Sequence, residues 1–390
     1  MLRTRILALL VLFLLPFGVL AMQYNQTLNP GDSIVVSGLG AGTLNVVQNG
    51  NSATLSFVEQ PAPTPQPSGS IQGIWMSQQE VMALPMSGTA WDNLKSKANG
   101  SWGSANLQDI SGNHDTYTLA GALYYARTGD NNMRTKTANA IMSVIGTEVG
   151  GDGRTLGPSR NIVSYVIAAD LINLATYDSG KNNTFKAYLT MLLNKTIDGK
   201  TIKSTHNIRP NNWGTHAGAA RVAIDRYTGD TTDLALAANV FKGWLGDRNA
   251  YSSFDFGDLA WQSDPSHPVA INPVNATIQG KNVDGVLPDD QRRGCAFTWP
   301  PCKENYTWEA LQGATVQAQL LSRAGYDVWN WSDKAMLRAV TWLYNVNGYR
   351  PTGDDVFIPW IINKAYGTSF STTTPVALGK NMSYTDYTHK

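Results

Sequence analysis

The feature that most constrains this chain is a helical hairpin written twice. Ala120-Gly-Ala-Leu-Tyr-Tyr-Ala-Arg-Thr-Gly-Asp130 is echoed by Ala217-Gly-Ala-Ala-Arg-Val-Ala-Ile-Asp-Arg-Tyr-Thr-Gly-Asp230. In each copy glycine closes a helix, because it tolerates the left-handed cap, and aspartate opens the next one. Leu321-Ser-Arg-Ala-Gly325 has the form of a third such junction. The spacing of apolar residues predicts helices over 115–127, 132–146, 161–177, 212–227, 231–245, 307–324, 332–346 and 355–366, with no strand pattern after residue 71. Repeated antiparallel hairpins make an all-α bundle, solenoid or toroid, and periodicity alone does not choose among them. The long turn-rich stretch from about Asp247 to Tyr306 marks a functional segment, since loops of that size in a compact domain usually carry one.

Ahead of the helices the pattern is different. Arg3 and Arg5 precede an apolar run from Ile6 to Leu20, and Val19-Leu20-Ala21 has the small-residue form of a cleavage site. The run is short for a membrane span, which needs roughly 20 residues. Residues 1–21 therefore read as a signal peptide, the mature protein as secreted or periplasmic and off the membrane. Residues 22–58 alternate in short runs punctuated by Gly-Asp and Asn-Gly turns, a small β module. Residues 59–70 form a proline-rich linker, and 71–390 make the helical domain.

Charge narrows the partner. The formal net charge is +1, and loss of Arg3 and Arg5 leaves 28 basic against 29 acidic side chains. That balance excludes a generic nucleic-acid binder, which needs a strongly basic face. It leaves room for a polyanion held by basic groups gathered in a cleft. In an exported protein Cys295 and Cys302 read as a local disulfide, and no ligand spacing suggests a metal or other cofactor.

Three constellations concentrate the chemistry. Arg209-Pro-Asn-Asn-Trp-Gly-Thr-His216 opens a helix, where free backbone N–H groups favour an anion. Asn212 and His216 lie four apart on one face, suited to gripping a carboxylate, with Asn211 and Trp213 beside them. Capping by the asparagines and core packing of His216 are the plainer alternatives. Second, Val283-Asp-Gly-Val-Leu-Pro-Asp-Asp-Gln-Arg-Arg-Gly294 ends in Arg292 and Arg293, whose planar forks pair with carboxylates unless Asp289 or Asp290 takes them. Third, Glu304-Asn-Tyr-Thr-Trp-Glu-Ala-Leu-Gln-Gly313 places Tyr306 at a helix start beyond the disulfide loop. A guanidinium near a phenol stabilises its phenolate and lets it act as a base.

Together these motifs resemble those of the alginate lyase superfamily of polysaccharide lyases. Its members carry an Asn-Asn-His-Gly-Thr-Trp-like helix start, an Asp-Gly-x-x-Pro-x-Glu-x-x-Arg loop and a Tyr-x-x-x-x-Leu-Gln helix. Here they read Asn211-Asn-Trp-Gly-Thr-His216, Asp284-Gly-Val-Leu-Pro-Asp-Asp-Gln-Arg-Arg293 and Tyr306-Thr-Trp-Glu-Ala-Leu-Gln312. The resemblance spans roughly Ile71 to Gly367. Two departures stand out: Trp213 replaces the family's histidine, and an insert carries both cysteines. Either His216 takes the histidine's part from one turn along or His114 supplies it. The departures resemble a separate branch, similar to polysaccharide lyase family thirty-eight.

The resemblance implies an (α/α) toroid, or incomplete barrel, with the polymer in its cleft. It implies β-elimination across C4–C5 of a β-1,4-linked uronate, alginate or polymannuronate first and glucuronan second. Tyr306 is then base and acid, and Asn212, Arg293 and a histidine neutralise the carboxylate. Arg292, Asn211, Trp213, His114, Arg160, Asn161 and Tyr165 are candidate substrate contacts, and Trp213, Trp261 and Trp299 candidate stacking platforms. The tail Gly379–His389 is a further subsite candidate, with a structural role as the plainer alternative. The implied partner is an anionic polysaccharide, acted on by a monomer. Two rivals stand beside this: a glycoside hydrolase using two of Asp289, Asp290, Glu304 and Glu309, and a non-catalytic glycan-binding protein.

Overall fold

The computed structural model describes residues 73–149 and 154–390 in full. Of the first 72 residues it describes the backbone strands Arg5–Ile6, Ala21–Thr27, Ile34–Val35, Gly42–Asn49 and Ser52–Glu59. The leader expected over 1–21 and the linker expected over 59–70 otherwise lie outside the described residues. The chain divides into two compact units, Met1–Pro67 and Ser68–Lys390.

In the first unit, Ser52–Glu59 is the central strand of an antiparallel sheet. Ala21–Thr27 pairs with it on one side and Gly42–Asn49 on the other, with Asn49 opposite Ser52. This is the small β module read from the alternating runs.

The second unit is helical: α1 Gln78–Met82, α2 Thr89–Asn99, α3 His114–Thr128, α4 Asn131–Ser143, α5 Leu156–Leu171, α6 Leu174–Tyr177, α7 Ser179–Asn194, α8 Ile202–Ile208, α9 Asn212–Thr228, α10 Thr231–Trp244, α11 Pro288–Gln291, α12 Tyr306–Arg323, α13 Trp331–Asn345, α14 Ile358–Tyr366 and α15 Thr385–Thr388. The repeated junction behaves as its residues require. Gly129 and Gly229 close α3 and α9 at φ of 75° and 88°, and Asp130 and Asp230 cap α4 and α10 through backbone N–H groups.

Burial separates two layers. In α5 every residue but Leu156 and Asp170 is buried, and in α9 everything from Asn212 to Asp225 except Trp213. Helices buried all round belong to an inner layer. The helices α4 and α7 bury one face only and form the outer return. Small residues let the inner helices approach closely. A Cβ on Gly313 would come within 2.4 Å of the Thr215 backbone, and one on Gly218 would strike the Gln317 side chain. Asn212 thus faces Glu309, Thr215 faces Gly313 and Gly218 faces Gln317, so α9 and α12 run parallel with their N-termini together. Parallel inner helices with α5 against α9 and α3 against α5, joined by outer helices, make the expected (α/α) toroid.

Two differences from the expected helices have local causes. The helix predicted over 161–177 breaks at Asn173, whose φ of 48° ends α5 and starts α6. The helix predicted from 355 begins at Ile358, with Pro359 in its first turn. The tail turned out to be a strap. Asn381 donates from its backbone to Arg160 O at 3.0 Å and from Nδ2 to Ser159 O at 2.8 Å, Tyr384 donates to Thr116 O, and Thr385 donates to Phe357 O. These bonds join the N-terminal halves of α3 and α5 to the start of α14.

Candidate active site

The helix start at Asn212 is built as the sequence indicates, but the carboxyl that occupies it comes from within the protein. The Asn211 side chain accepts from Trp213 N at 3.2 Å, and the Asp290 carboxyl accepts from Asn212 N at 3.2 Å. Burial, with Asp289 adding to it, pushes the Asp290 carboxyl well above the usual range. The backbone anion site expected at this terminus is therefore filled by the Asp-Asp loop, and Asn211 is a cap.

The side chains do what the backbone does not. Arg293 Nη1 donates to Asn212 Oδ1 at 3.1 Å, and the Arg293 guanidinium lies over the Tyr306 ring, 3.2 Å from its centroid. Asn212 Nδ2 donates to Glu309 Oε2 at 2.9 Å, fixing the amide from the other side. Three motifs scattered over nearly a hundred residues thus meet at the paired N-termini of α9 and α12. Tyr306 is the first residue of α12 and is 36 % exposed, so the ring is open to a ligand. Its backbone N–H is taken by Glu304 Oε1.

Beneath this cluster runs a polar network that the sequence did not disclose. Gln312 donates to Asp355 Oδ1 at 2.7 Å, and Arg160 pairs with Asp354 at 3.1 Å. Burial, with Asp354 next, pushes the Asp355 carboxyl up to about 8. Glu309 was separable only by its register: three residues after Tyr306, it shares a helix face with it. Asp355 carried no local signal at all, because its partners come from α12 and α5.

The remaining candidates divide. His216 is wholly buried, its Nδ1 bonded to Asn381 Oδ1, and burial holds it well below its usual pKa. Arg292 is committed to an ion pair with Asp289 at 2.9 Å, and Arg160 to Asp354. His114, Asn161 and Tyr165 come together with Trp102, Asn106 and Asp115 around a cavity of about 210 Å³. There His114 Nδ1 is 2.7 Å from the Tyr165 hydroxyl. Burial, then the Asp115 charge, raises Tyr165 well above an ordinary phenol, and burial lowers His114. Tyr165 can therefore donate to a neutral His114, leaving its Nε2–H for a ligand.

Cys295 and Cys302 are bonded, with Cα atoms 6.4 Å apart. Gln291 and Asn347 donate to Cys302 O, and Trp261 Nε1 donates to Cys295 O, so both ends of the loop are tied down. Of the three stacking candidates, Trp261 is core, wedged against Phe297 and Trp342. Trp213 is half-buried with Arg154 above its ring, and Trp299 is exposed. Among the described residues no group of acidic, histidine or cysteine side chains is arranged to hold a metal ion.

An amide, a guanidinium and an exposed tyrosine thus meet at one mouth of the inner ring of parallel helices. Residues 115–249, from α3 to just past α10, match the family model described as Alginate lyase, so this stretch is similar to that family. The matched stretch includes Asn212 and His216 and stops short of Arg293 and Tyr306. No curated protein matches the chain.

Proposed function

We propose that the protein is an exported lyase that cuts a β-1,4-linked polyuronate, polymannuronate first, at the cluster of Tyr306, Arg293 and Asn212. The observation that carries this is Arg293 itself, which holds the Asn212 amide with one N–H and sits over the Tyr306 ring. Its other N–H groups and the second Nδ2 hydrogen of Asn212 are the donors for a substrate carboxylate. Neutralising that carboxylate acidifies the C5 proton and stabilises the charge that builds in the transition state.

Tyr306 takes the C5 proton, the freed electron pair forms the C4=C5 bond, the C4–O4 bond breaks, and the departing O4 takes a proton back from Tyr306. One residue serves both ends because C5–H and O4 share a side of the ring in mannuronate and in glucuronate, so glucuronan is the second substrate. The open cavity beside His114 supports giving that residue the histidine's part. The burial of His216 supports a positioning role beneath Asn212. The hydrolase rival is disfavoured by what its carboxylates already do. Asp290 serves Asn212 N, Asp289 holds Arg292, Glu304 holds Tyr306 N and Glu309 holds the Asn212 amide. The disulfide supports an oxidising compartment, secreted or periplasmic. Incubation with polymannuronate, polyguluronate and glucuronan, read as new unsaturated uronate ends, tests the proposal. Chain shortening without unsaturation would mean hydrolysis, and binding without shortening would mean a lectin.

A further inference from the structure

Among the described residues, the large hydrophobic side chains left exposed include two aromatics, Trp299 at 37 % and Tyr306 at 36 %. They flank the same disulfide, Trp299 within the loop and Tyr306 just past it. Each carries a cation on its ring: Arg293 on Tyr306, and Lys281 Nζ 5.9 Å from the Trp299 centroid. The second pair comes from two rigid supports. Lys281 follows Gln279-Gly280, both at positive φ, in a two-residue turn between Thr277–Ile278 and Lys281–Asn282. That hairpin is pinned to α13 by Trp342 Nε1 donating to Asn282 O at 3.0 Å. Within the loop, Phe297 turns inward onto Trp261, with ring centroids 4.9 Å apart, and Trp299 is left facing solvent.

An indole held open by a cross-linked loop, with an ammonium beside its ring, presents both an apolar face and a cation to a ligand. A pyranose ring has an apolar face for the indole, and a uronate adds a carboxylate for the ammonium. Resting on the lyase reading above, we propose that Trp299 and Lys281 form a second uronate subsite, distal to the bond that Tyr306 cleaves. It grips the polymer outside the reacting pair of sugars. The disulfide insert is then a substrate-binding device, and its contribution is to affinity for long chains rather than to the chemical step.

The test compares kcat and KM on polymer and on the shortest oligouronate the enzyme cleaves, for wild type, Trp299→Ala, Trp299→Tyr and Lys281→Gln. Trp299→Ala raises KM for polymer by about three- to tenfold, the size of a lost aromatic contact, with kcat and the short substrate unchanged. Trp299→Tyr restores most of the affinity, and Lys281→Gln raises KM at low salt and converges with wild type at high salt. Equal losses on both substrates would mean that the loop merely supports Arg293 and Tyr306, and no loss on polymer would remove the subsite; either result overturns the proposal. If wild type makes no unsaturated ends from any polyuronate, it is the lyase reading that has failed.

Discussion

Arg293 is the side chain on which the site turns, and its loss separates the roles around it. Arg293→Ala frees the Tyr306 ring and leaves Asn212 Oδ1 without its donor, so turnover collapses and polymer binding weakens at low salt. Asn212→Ala lowers kcat more than it raises KM, because the amide's bond strengthens as charge builds on the carboxylate. His114→Ala costs activity through a contact, visible in kcat/KM with the melting temperature held. His216→Ala acts on stability first, since it empties a sealed site against Asn381. A severe loss of rate at unchanged stability for His216→Ala would reverse that assignment. Asp355 offers a check of the buried network. Its carboxyl lies at about 8 in the fold against 3.8 free. The folded state therefore binds the proton more tightly, and the stability this adds is lost as pH rises from 3.8 through about 8. Asp355→Asn should flatten that fall in a denaturation series across pH, and an unchanged slope would contradict it.

Helices were legible where they announce their ends and illegible where they do not. Thr-Gly-Asp junctions marked α3, α4, α9 and α10 to within three residues, because cap chemistry is local. The helix α7 was missed because Gly180, Asn182 and Asn183 weaken its opening turn, which Asp178 nonetheless caps from Lys181 N. The helices α2 and α8 are short and bury a few residues each. The site followed the same rule. Asn212, Arg293 and Tyr306 stood in recognisable motifs, and their meeting depends on the register between α9 and α12, which only the packing supplies. That register predicts a mutation of its own. Gly313→Ala would drive a methyl into the Thr215 and His216 backbone of α9. It should destabilise by roughly 1–3 kcal/mol and slow turnover by moving Asn212 relative to Tyr306. Wild-type stability in this variant would mean that the two helices are not held at that spacing.

At the largest scale, the helical unit sets a toroid of inner helices with polar groups gathered at one mouth, and a C-terminal strap through Asn381 and Tyr384 locks that mouth. The strap's Gly-Lys-Asn run gave no hint of this, because its partners are Gly112 just before α3, Ser159 in α5 and His216 in α9, all far upstream. The chain's near-neutral charge likewise hides how its basic groups are placed, with Arg293 and Lys281 on the side of the disulfide loop. The claim that joins these scales is that Tyr306 moves the proton. The most direct measurement is the ultraviolet absorbance of the conjugated C4=C5 uronate released from polymannuronate by wild type and by Tyr306→Phe at equal concentration and equal melting temperature. The account predicts steady growth for wild type and a rate lower by at least ~10²-fold for the variant, with polymer binding retained. Elimination by Tyr306→Phe at close to the wild-type rate would contradict it.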